Sequence, residues 1–157
     1  MMKKTLLLFA ALTLTFCACN RKPFYDETVS FQERSWNRFR VLTFQPEVEK
    51  AGRYYDVVVK ISYADGFEYD QIPFHAILTA PDGQRNIVRK NMKVRNAEGG
   101  YLGEAYGDVW TTGKVVFEHK QLKDPGVYTF TVQQMTQYYE LPGVVAVNCV
   151  VRLSEKQ

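Results

Sequence analysis

Cysteine is scarce in this chain, which has three cysteines in 157 residues. Two of them, Cys17 and Cys19, lie near the N-terminus, so only Cys149 remains for the rest of the chain. This pattern excludes the class of small secreted domains that are cross-linked by several disulfides. Cys149 lies on an alternate row of the apolar segment VVAVNCVVRL (144–153), which predicts a small core residue rather than a nucleophile.

Groups that commonly carry chemistry are also few. His75 and His119 are the two histidines, and neither has a second ligand at a usable spacing, although a metal site needs three or four. The sequence has no P-loop and no Gly-x-Ser-x-Gly nucleophile elbow. Two distant carboxylates would suffice for a glycosidase, but context marks out none of the 17 acidic residues. We therefore predict no catalytic residue, no metal and no cofactor, and nothing indicates a small-molecule ligand or an enzyme.

Neither sign of charge dominates the sequence. The net charge is +3, and removing Lys3 and Lys4 from the 20 basic residues leaves 18 against 17 acidic residues. A nucleic-acid-binding domain concentrates basic residues on one face, so no nucleic-acid partner is predicted. Hydrophobic residues make up 46% of the chain and aromatic residues 14%, which is enough for a folded core and argues against disorder.

No hydrophobic run is long enough to cross a membrane as a helix. The N-terminal run, residues 6–16, has about 11 residues, whereas a spanning helix needs about 20. The positive pair Lys3-Lys4 precedes this run, which is the layout of a secretory signal peptide.

The residues before Cys19 predict a lipoprotein. Bacterial lipoprotein signals end in a short box of apolar or small residues directly before a cysteine, and Phe16, Cys17 and Ala18 fill those positions. We expect the signal peptide, residues 1–18, to be removed and Cys19 to carry the lipid anchor, with a membrane as its partner. The alternative is an ordinary secreted protein in which Cys19 is a free thiol.

The predicted mature chain has two parts. Residues 19–35 form a polar stretch with one proline, which predicts a tether between the lipid and the folded domain. Residues 36–157 form the predicted domain, long enough for one hydrophobic core.

Several segments alternate apolar and polar residues as strands do. They are FRVLTF (39–44), RYYDVVVKISY (53–63), FHAILTA (74–80), IVRKNMKV (87–94), GKVVFEH (113–119), GVYTFTVQQ (126–134) and VVAVNCVVRL (144–153). No long amphipathic helix is predicted, although QQMTQYYEL (133–141) fits one helical turn. The predicted fold is all-β, a single antiparallel β-sandwich of seven or eight strands, either immunoglobulin-like or jelly-roll.

A glycine-rich segment, AEGGYLGEAYGD (97–108), is predicted to be a mobile surface loop. Its aromatic residues Tyr101 and Tyr106, with Trp110 just after them, are the candidate surface for a partner or ligand. Trp36 and Trp110 are predicted to anchor the core or its edge, and a sugar-stacking platform is the alternative role for such tryptophans.

Several motifs follow one another along the chain. They are the lipoprotein signal, Ser35-Trp36 before FRVLTF, Ile72-Pro73-Phe74, the turn Pro81-Asp82-Gly83, GEAYGD (103–108) and PGVYTFTVQQM…LPGVVAV. In this order and spacing they resemble the GldH gliding-motility lipoproteins of Bacteroidetes. Thr136 and Asn148 depart from that pattern, since the family usually has arginine and glycine at these positions.

The resemblance implies a non-catalytic cell-envelope lipoprotein whose protein partners belong to the gliding and type IX secretion machinery. Only the lipidated residue, Cys19, can be carried over from the family. The basic pair Arg21-Lys22 stands where surface-exported lipoproteins tend to have acidic residues, which predicts outer-membrane anchoring that faces the periplasm. The alternative function is glycan or peptide binding in nutrient capture, which predicts a concave aromatic patch with Trp110, Tyr101 or Tyr106.

Overall fold

A computed structural model describes residues 23–155, which form an all-β protein, as predicted. The strands are β1 (Tyr25–Ser30), β2 (Ser35–Asn37), β3 (Leu42–Phe44), β4 (Glu47–Val48), β5 (Arg53–Ala64), β6 (Gln71–Thr79), β7 (Arg85–Lys93), β8 (Glu104–Tyr106), β9 (Val109–Leu122), β10 (Gly126–Val127), β11 (Thr129–Gln134), β12 (Glu140–Pro142) and β13 (Val144–Leu153). The predicted strand number is too low because six of these strands have only two or three residues, too few to show alternation. No helix in this part of the chain is long and apolar enough to cross a bilayer.

Two antiparallel sheets form a sandwich. The larger sheet has the strand order β1-β13-β5-β9-β8, and the smaller sheet has the order β3-β11-β6-β7. Two short ribbons, β2 with β12 and β4 with β10, complete the described structure. Neighbouring strands in each sheet are therefore often distant in sequence, and the fold depends on long-range pairing.

Facing rows of apolar side chains hold the two sheets together. In β5 the alternate residues Val59 and Ile61 are fully buried, and in β6 the residue Phe74 is 1% exposed. Alternation of this kind buries one face of each strand and leaves the other accessible. The rings of Phe117 in β9 and Phe130 in β11 meet across the interface, with centroids 6.0 Å apart.

The predicted tether, residues 19–35, contains a strand in the structure. Residues 25–30 pair antiparallel with residues 146–151 of β13. Tyr25 and Val29 pack against the core, and the Asn148 amide donates hydrogen bonds to Asp26 at 2.7 Å and to Thr28 at 2.9 Å. The polar composition predicted a tether, but pairing with an apolar neighbour makes this segment an edge strand. Residues 19–22 and the predicted signal peptide lie outside the described residues, as does Cys19.

The helical turn suggested for residues 133–141 is not formed. Strand β11 continues through Gln134, which pairs with Phe74 of β6, and β12 begins at Glu140. The segment between the two strands is a loop. Gln134 stays in the extended conformation of β11 because its side chain is buried against the core. This tertiary contact outweighs the helical spacing of the sequence.

The long strands run between two ends of the sandwich. At the proximal end β1 and β5 begin while β9 and β13 finish, and the marker residues are Tyr25, Arg53, Leu122 and Leu153. At the distal end β1 and β5 finish while β9 and β13 begin, and the marker residues are Ser30, Ala64, Val109 and Val144. Strand β5 has 12 residues, so the two ends lie about 36 Å apart at ~3.3 Å per residue.

Burial of Cys149 predicts an unreactive thiol. Cys149 is fully buried in β13, and burial raises the pKa of its thiol, as do the nearby carboxylates of Glu27 and Asp26. Because the thiolate is the reactive form, we expect alkylation at pH 8 to be at least about 100-fold slower in the folded protein than in urea, since the side chain must first be exposed by opening. Mass spectrometry of a variant with alanine at positions 17 and 19 measures Cys149 alone. Prompt stoichiometric alkylation of the folded protein would contradict the burial.

Candidate functional site

The three aromatic residues predicted as a partner surface do not form one surface. Tyr101 and Trp110 are half-buried and packed against the core, with ring centroids 5.4 Å apart. Tyr106 is 91% exposed and lies at the tip of the β8–β9 hairpin, where it pairs with Val109. Two of the three residues therefore support the fold, and only Tyr106 is free to meet a partner.

Tyr101 is fixed by several polar contacts in addition to packing. Its hydroxyl donates to the Phe67 carbonyl at 3.1 Å, and the Arg95 guanidinium donates to both of these oxygens. The same guanidinium lies over the Tyr101 ring, 4.0 Å from its centroid, which is cation–π geometry. The glycine-rich segment is thus partly ordered: Tyr101 forms a β-bridge with Arg95, and residues 104–106 pair with β9.

A continuous chain of ring contacts crosses the distal end. Its successive members are Trp110, Tyr101, Tyr63, Phe67, Tyr69 and Tyr138, with centroid separations between 5.2 and 5.6 Å. Ring pairs at these separations stabilise a fold by about 0.5–1.5 kcal/mol each beyond their area burial. The buried Tyr63 hydroxyl also donates to the carbonyls of Val94 and Leu102, and burial raises the pKa of Tyr63. This series of ring contacts therefore connects Trp110 and Tyr101 to Tyr138, which is exposed at the surface.

Tyr138, the last member of this series of ring contacts, adjoins an exposed aromatic surface. Phe39 is 68% exposed and Tyr139 is 67% exposed, and their ring centroids are 5.7 Å apart. The Arg38 guanidinium lies 5.9 Å from both centroids, and Tyr138 is 43% exposed. We call these four residues, Arg38, Phe39, Tyr138 and Tyr139, the distal patch.

The ribbon of β2 and β12 positions the two loops that carry the distal patch. Trp36 pairs with Leu141, and both side chains are fully buried. The Trp36 indole N–H donates to the Arg40 carbonyl at 3.1 Å, and the Arg38 amide donates to the Tyr139 carbonyl at 2.8 Å. Trp36 is thus the core anchor that the sequence predicted, and it holds one half of the patch.

A buried glutamine shapes the other half. Gln134 is fully buried in β11. Its amide nitrogen donates to the carbonyls of Trp36 at 3.2 Å and Tyr138 at 3.3 Å. Its amide oxygen accepts from the backbone N–H of Thr136 at 2.8 Å and from the Thr136 hydroxyl at 2.7 Å. These bonds use both sides of the amide and fix the loop that displays Tyr138 and Tyr139.

Within residues 23–155, the groups around His119 and the possible metal ligands bear on whether the protein has a reaction centre. No group of three or more His, Cys, Asp or Glu side chains is placed to hold a metal ion among these residues. The His119 ring contacts the Ser154 hydroxyl at 3.1 Å, but the Asp56 carboxylate accepts from the His119 backbone N–H and not from the ring. Asp56 therefore supports a strand irregularity at His119, which has a φ of 47°, and does not orient a catalytic base.

A shallow polar cleft of about 420 Å³ lies beside the β2–β12 ribbon. Its lining includes Glu33, Ser35, Asn37, Arg40 and Glu140. Glu140 is already engaged, because its carboxylate accepts hydrogen bonds from Ser35 and Asn37. Phe31 is the sole aromatic residue of this lining and is itself buried, so the cleft offers no stacking platform for a sugar.

The sequence does not predict the distal patch. Its patterns place Phe39 in the strand FRVLTF and Tyr138-Tyr139 in a helical turn. Two signals were present: Phe39 stands between two arginines, and two consecutive tyrosines end a polar stretch. Neither signal shows that the residues meet, because about 100 residues separate them and only the β2–β12 pairing brings them together.

The described residues form an all-β sandwich, and four of its exposed aromatic residues, Phe39, Tyr106, Tyr138 and Tyr139, lie at the distal end. Residues 23–150 match the GldH lipoprotein family, and the chain belongs to this family. A curated relative, the gliding motility lipoprotein GldH homolog of Christiangramia forsetii, is 22% identical over 127 residues, covering 81% of this chain and 77% of the relative. Membership confirms the resemblance given above and identifies a membrane-associated protein of the cell envelope.

Two solved structures show distant similarity to this chain. A family GH115 4-O-methyl-α-glucuronidase with specificity for decorated arabinogalactans aligns with a TM-score of 0.36 and 12% identity, over 85% of this chain and 17% of the glucuronidase chain. A structure of infectious bursal disease virus aligns with a TM-score of 0.32 and 10% identity, over 85% of this chain and 30% of the viral chain. The chain spans less than a third of each of these proteins, and TM-scores this low support no statement about its function.

We predict that Gln134→Ala destabilises the protein and loosens the distal patch. The change leaves the buried Thr136 amide without its partner, and an unsatisfied buried group costs about 1–3 kcal/mol. It also removes one hydrogen bond from each of the carbonyls of Trp36 and Tyr138. Trp36 still pairs with Leu141, and the Tyr138 carbonyl still accepts from the Thr136 hydroxyl at 3.4 Å. We expect the free energy of unfolding in urea to fall by about 2–4 kcal/mol, and amide exchange in residues 135–139 to accelerate. Gln133→Ala is the control, because that side chain makes one hydrogen bond, to the Arg38 carbonyl, and should cost about 1 kcal/mol. Equal effects of the two changes would contradict the assigned role.

Proposed function

We propose that this protein is a non-catalytic accessory lipoprotein that binds an envelope protein through the distal patch. In this proposal Cys19 carries the lipid, and the domain is anchored in the outer membrane and faces the periplasm. Family membership supports the lipoprotein part of the proposal. The sequence after Cys19, with Arg21-Lys22 in place of acidic residues, supports the periplasmic orientation.

The observation that carries this proposal is the uneven distribution of exposed apolar side chains. Ten large hydrophobic residues are exposed in the described part of the chain, and six of them lie at the distal end: Phe39, Val41, Tyr106, Met135, Tyr138 and Tyr139. Aromatic residues, methionine and arginine are the residue types enriched in the centres of protein interfaces. A cluster of them at one end, held on hydrogen-bonded loops, is a preorganised docking surface.

The name of the curated relative supports a partner within the motility machinery. The relative is called a gliding motility lipoprotein, and that assignment transfers to this chain only as part of the proposal. We therefore expect the partner to be a component of the gliding or type IX secretion machinery. The high exposure of the paired rings, 68% for Phe39 and 67% for Tyr139, supports contact with another protein.

Glycan or peptide capture is the competing function, and the arrangement of the tryptophans weighs against it. Trp36 is fully buried, and Trp110 is partly buried against the core and in contact with the Tyr101 ring. A sugar-binding platform needs fully exposed ring faces, and both tryptophans are at least partly used in packing. The experiment below distinguishes glycan or peptide capture from the accessory-lipoprotein function, because the two functions predict different partners.

We predict that a photo-crosslinking amino acid at position 139 captures one envelope protein in living cells. The matched control position is Val127, which is 47% exposed at the proximal end and should give no specific adduct. Phe39→Ser should reduce the yield at position 139 at least about tenfold, because central interface residues often contribute 2 kcal/mol or more. Val127→Ser should leave it unchanged. Mass spectrometry identifies the captured protein.

Three outcomes of this crosslinking experiment are informative. A motility or secretion component captured at position 139 supports the proposal. A polysaccharide-uptake protein at the same position supports the nutrient-capture function. Equal capture at positions 139 and 127, or a yield that ignores Phe39→Ser, contradicts the distal patch as the binding surface.

A further inference from the structure

We infer that the outer face of the four-stranded sheet lies against the anionic headgroups of the membrane in which Cys19 is anchored. This inference rests on the lipid anchor of the proposed function. Two independent observations carry it. One is the charge on this face, and the other is the short length of chain between Cys19 and β1.

The outward side chains of the four-stranded sheet include cations but no carboxylate. Strand β7 contributes Arg85, Arg89 and Lys93, all of them exposed. His75 of β6 lies directly beside Arg89, and the other outward residues are threonine, glutamine, asparagine, proline and isoleucine. A flat face with cations and no anions is complementary to a negatively charged surface.

These cations are not neutralised within the domain. Within residues 23–155, Arg34 pairs with Asp108 and Arg95 pairs with Asp70. Neither pair involves Arg85, Arg89 or Lys93. Their charge is therefore available to an external anion.

The outer face of the five-stranded sheet differs in composition. Its outward residues carry both signs of charge, with Asp26 on β1, Lys60 on β5, Glu104 on β8 and Arg152 on β13. A surface of mixed charge has no net attraction for an anionic bilayer. The two broad faces of the sandwich therefore differ in charge, and the outer face of the four-stranded sheet is the one complementary to an anionic membrane.

The chain between Cys19 and the sheet is short enough to hold the domain on the bilayer. Because β1 begins at Tyr25, only six peptide steps separate it from Cys19, and they span at most about 20–22 Å. The Tyr25 hydroxyl accepts a hydrogen bond from the Gln45 amide at 3.1 Å, just beyond the end of β3. The polypeptide therefore enters the domain beside the β3 edge of the four-stranded sheet. From this point the short segment after Cys19 allows the outer face of that sheet to reach the headgroups.

With this face on the membrane, the strands lie roughly along the bilayer plane. The distal patch then lies at the height of the headgroups and points sideways. A partner that reaches it is embedded in, or attached to, the same membrane. This identifies the kind of protein that the proposed function requires.

Cations on an edge strand also have a purely protective role, because they discourage pairing between the edges of two molecules. Charge reversal separates the two roles. Arg85→Glu with Arg89→Glu keeps the edge strand charged, so it still opposes pairing between two molecules. The same change repels an anionic membrane. A loss of membrane contact in that variant therefore reports on the bilayer and not on aggregation.

Fluorescence quenching by a headgroup-attached nitroxide lipid tests this inference on the full mature protein. A fluorophore is placed on Ile87→Cys, which is on the outer face of the four-stranded sheet, or on Lys60→Cys, which is on the other face. Cys19 is acylated and Cys149 is buried, so the introduced thiol is the one that reacts. The vesicles contain phosphatidylglycerol and phosphatidylcholine in equal parts, or phosphatidylcholine alone, and mass spectrometry verifies the acyl chains on Cys19.

We expect strong quenching at position 87 and little at position 60 in the anionic vesicles. Each cation near an anionic surface contributes about fivefold to the occupancy of the bound orientation. Arg85→Glu with Arg89→Glu should therefore lower the ratio of membrane-bound to free orientations at least tenfold, and Lys60→Glu should not. High salt and uncharged vesicles should also reduce the quenching at position 87.

Equal quenching at both positions, or quenching at position 87 that survives charge reversal, overturns the inference. If Cys19 is fully acylated in that experiment, the proposed anchor stands and only the orientation is wrong. Absence of acyl chains on Cys19 overturns both the anchor and the orientation. Partner capture at position 139 is a separate measurement, so the fate of the distal patch is decided independently.

Discussion

The pairing of β1 with β13 is the interaction on which the rest of the arrangement depends. It joins residues 25–30 to residues 146–151 and closes one edge of the five-stranded sheet. It also places β1 directly beside the buried row of β13 that contains Cys149. Because this pairing uses residues that were predicted to be a tether, it fixes both the point where the chain enters the domain and the reach of the proposed lipid anchor.

The two ends of the sandwich are specialised by different interactions. The proximal end is where β1 begins, at Tyr25, and is therefore the end that lies nearer to the proposed anchor. The distal end is built on aromatic contacts, from Trp110 through Tyr63 to Tyr138, and on the buried amide of Gln134. Such a buried, fully hydrogen-bonded group specifies one loop conformation, since any other would leave polar atoms unsatisfied. A preformed surface of this kind loses less conformational entropy on binding.

The sequence was sufficient to predict the fold class, since long strands such as β5 and β13 alternate clearly and each buries one face. It was sufficient for Trp36 and Cys149 as core residues. It was not sufficient for β1, whose polar residues become a strand only through pairing with β13. Nor does an aromatic residue type reveal exposure: Tyr101 packs inward while Tyr106, five residues later, is almost fully exposed. The distal patch depends on contacts about 100 residues apart, which local patterns do not encode.

Amide hydrogen exchange of residues 25–30 in the lipidated mature protein tests the central claim most directly. Alternate amides of β1 that face β13 should exchange slowly, with protection comparable to that of the outer residues of β13 itself. Such protection would show that the flexible tether ends at β1, which limits how far the domain can stand from the proposed anchor. Exchange at the rate of an unstructured peptide throughout residues 25–30 would contradict this account, because the domain would then stand on a long free linker.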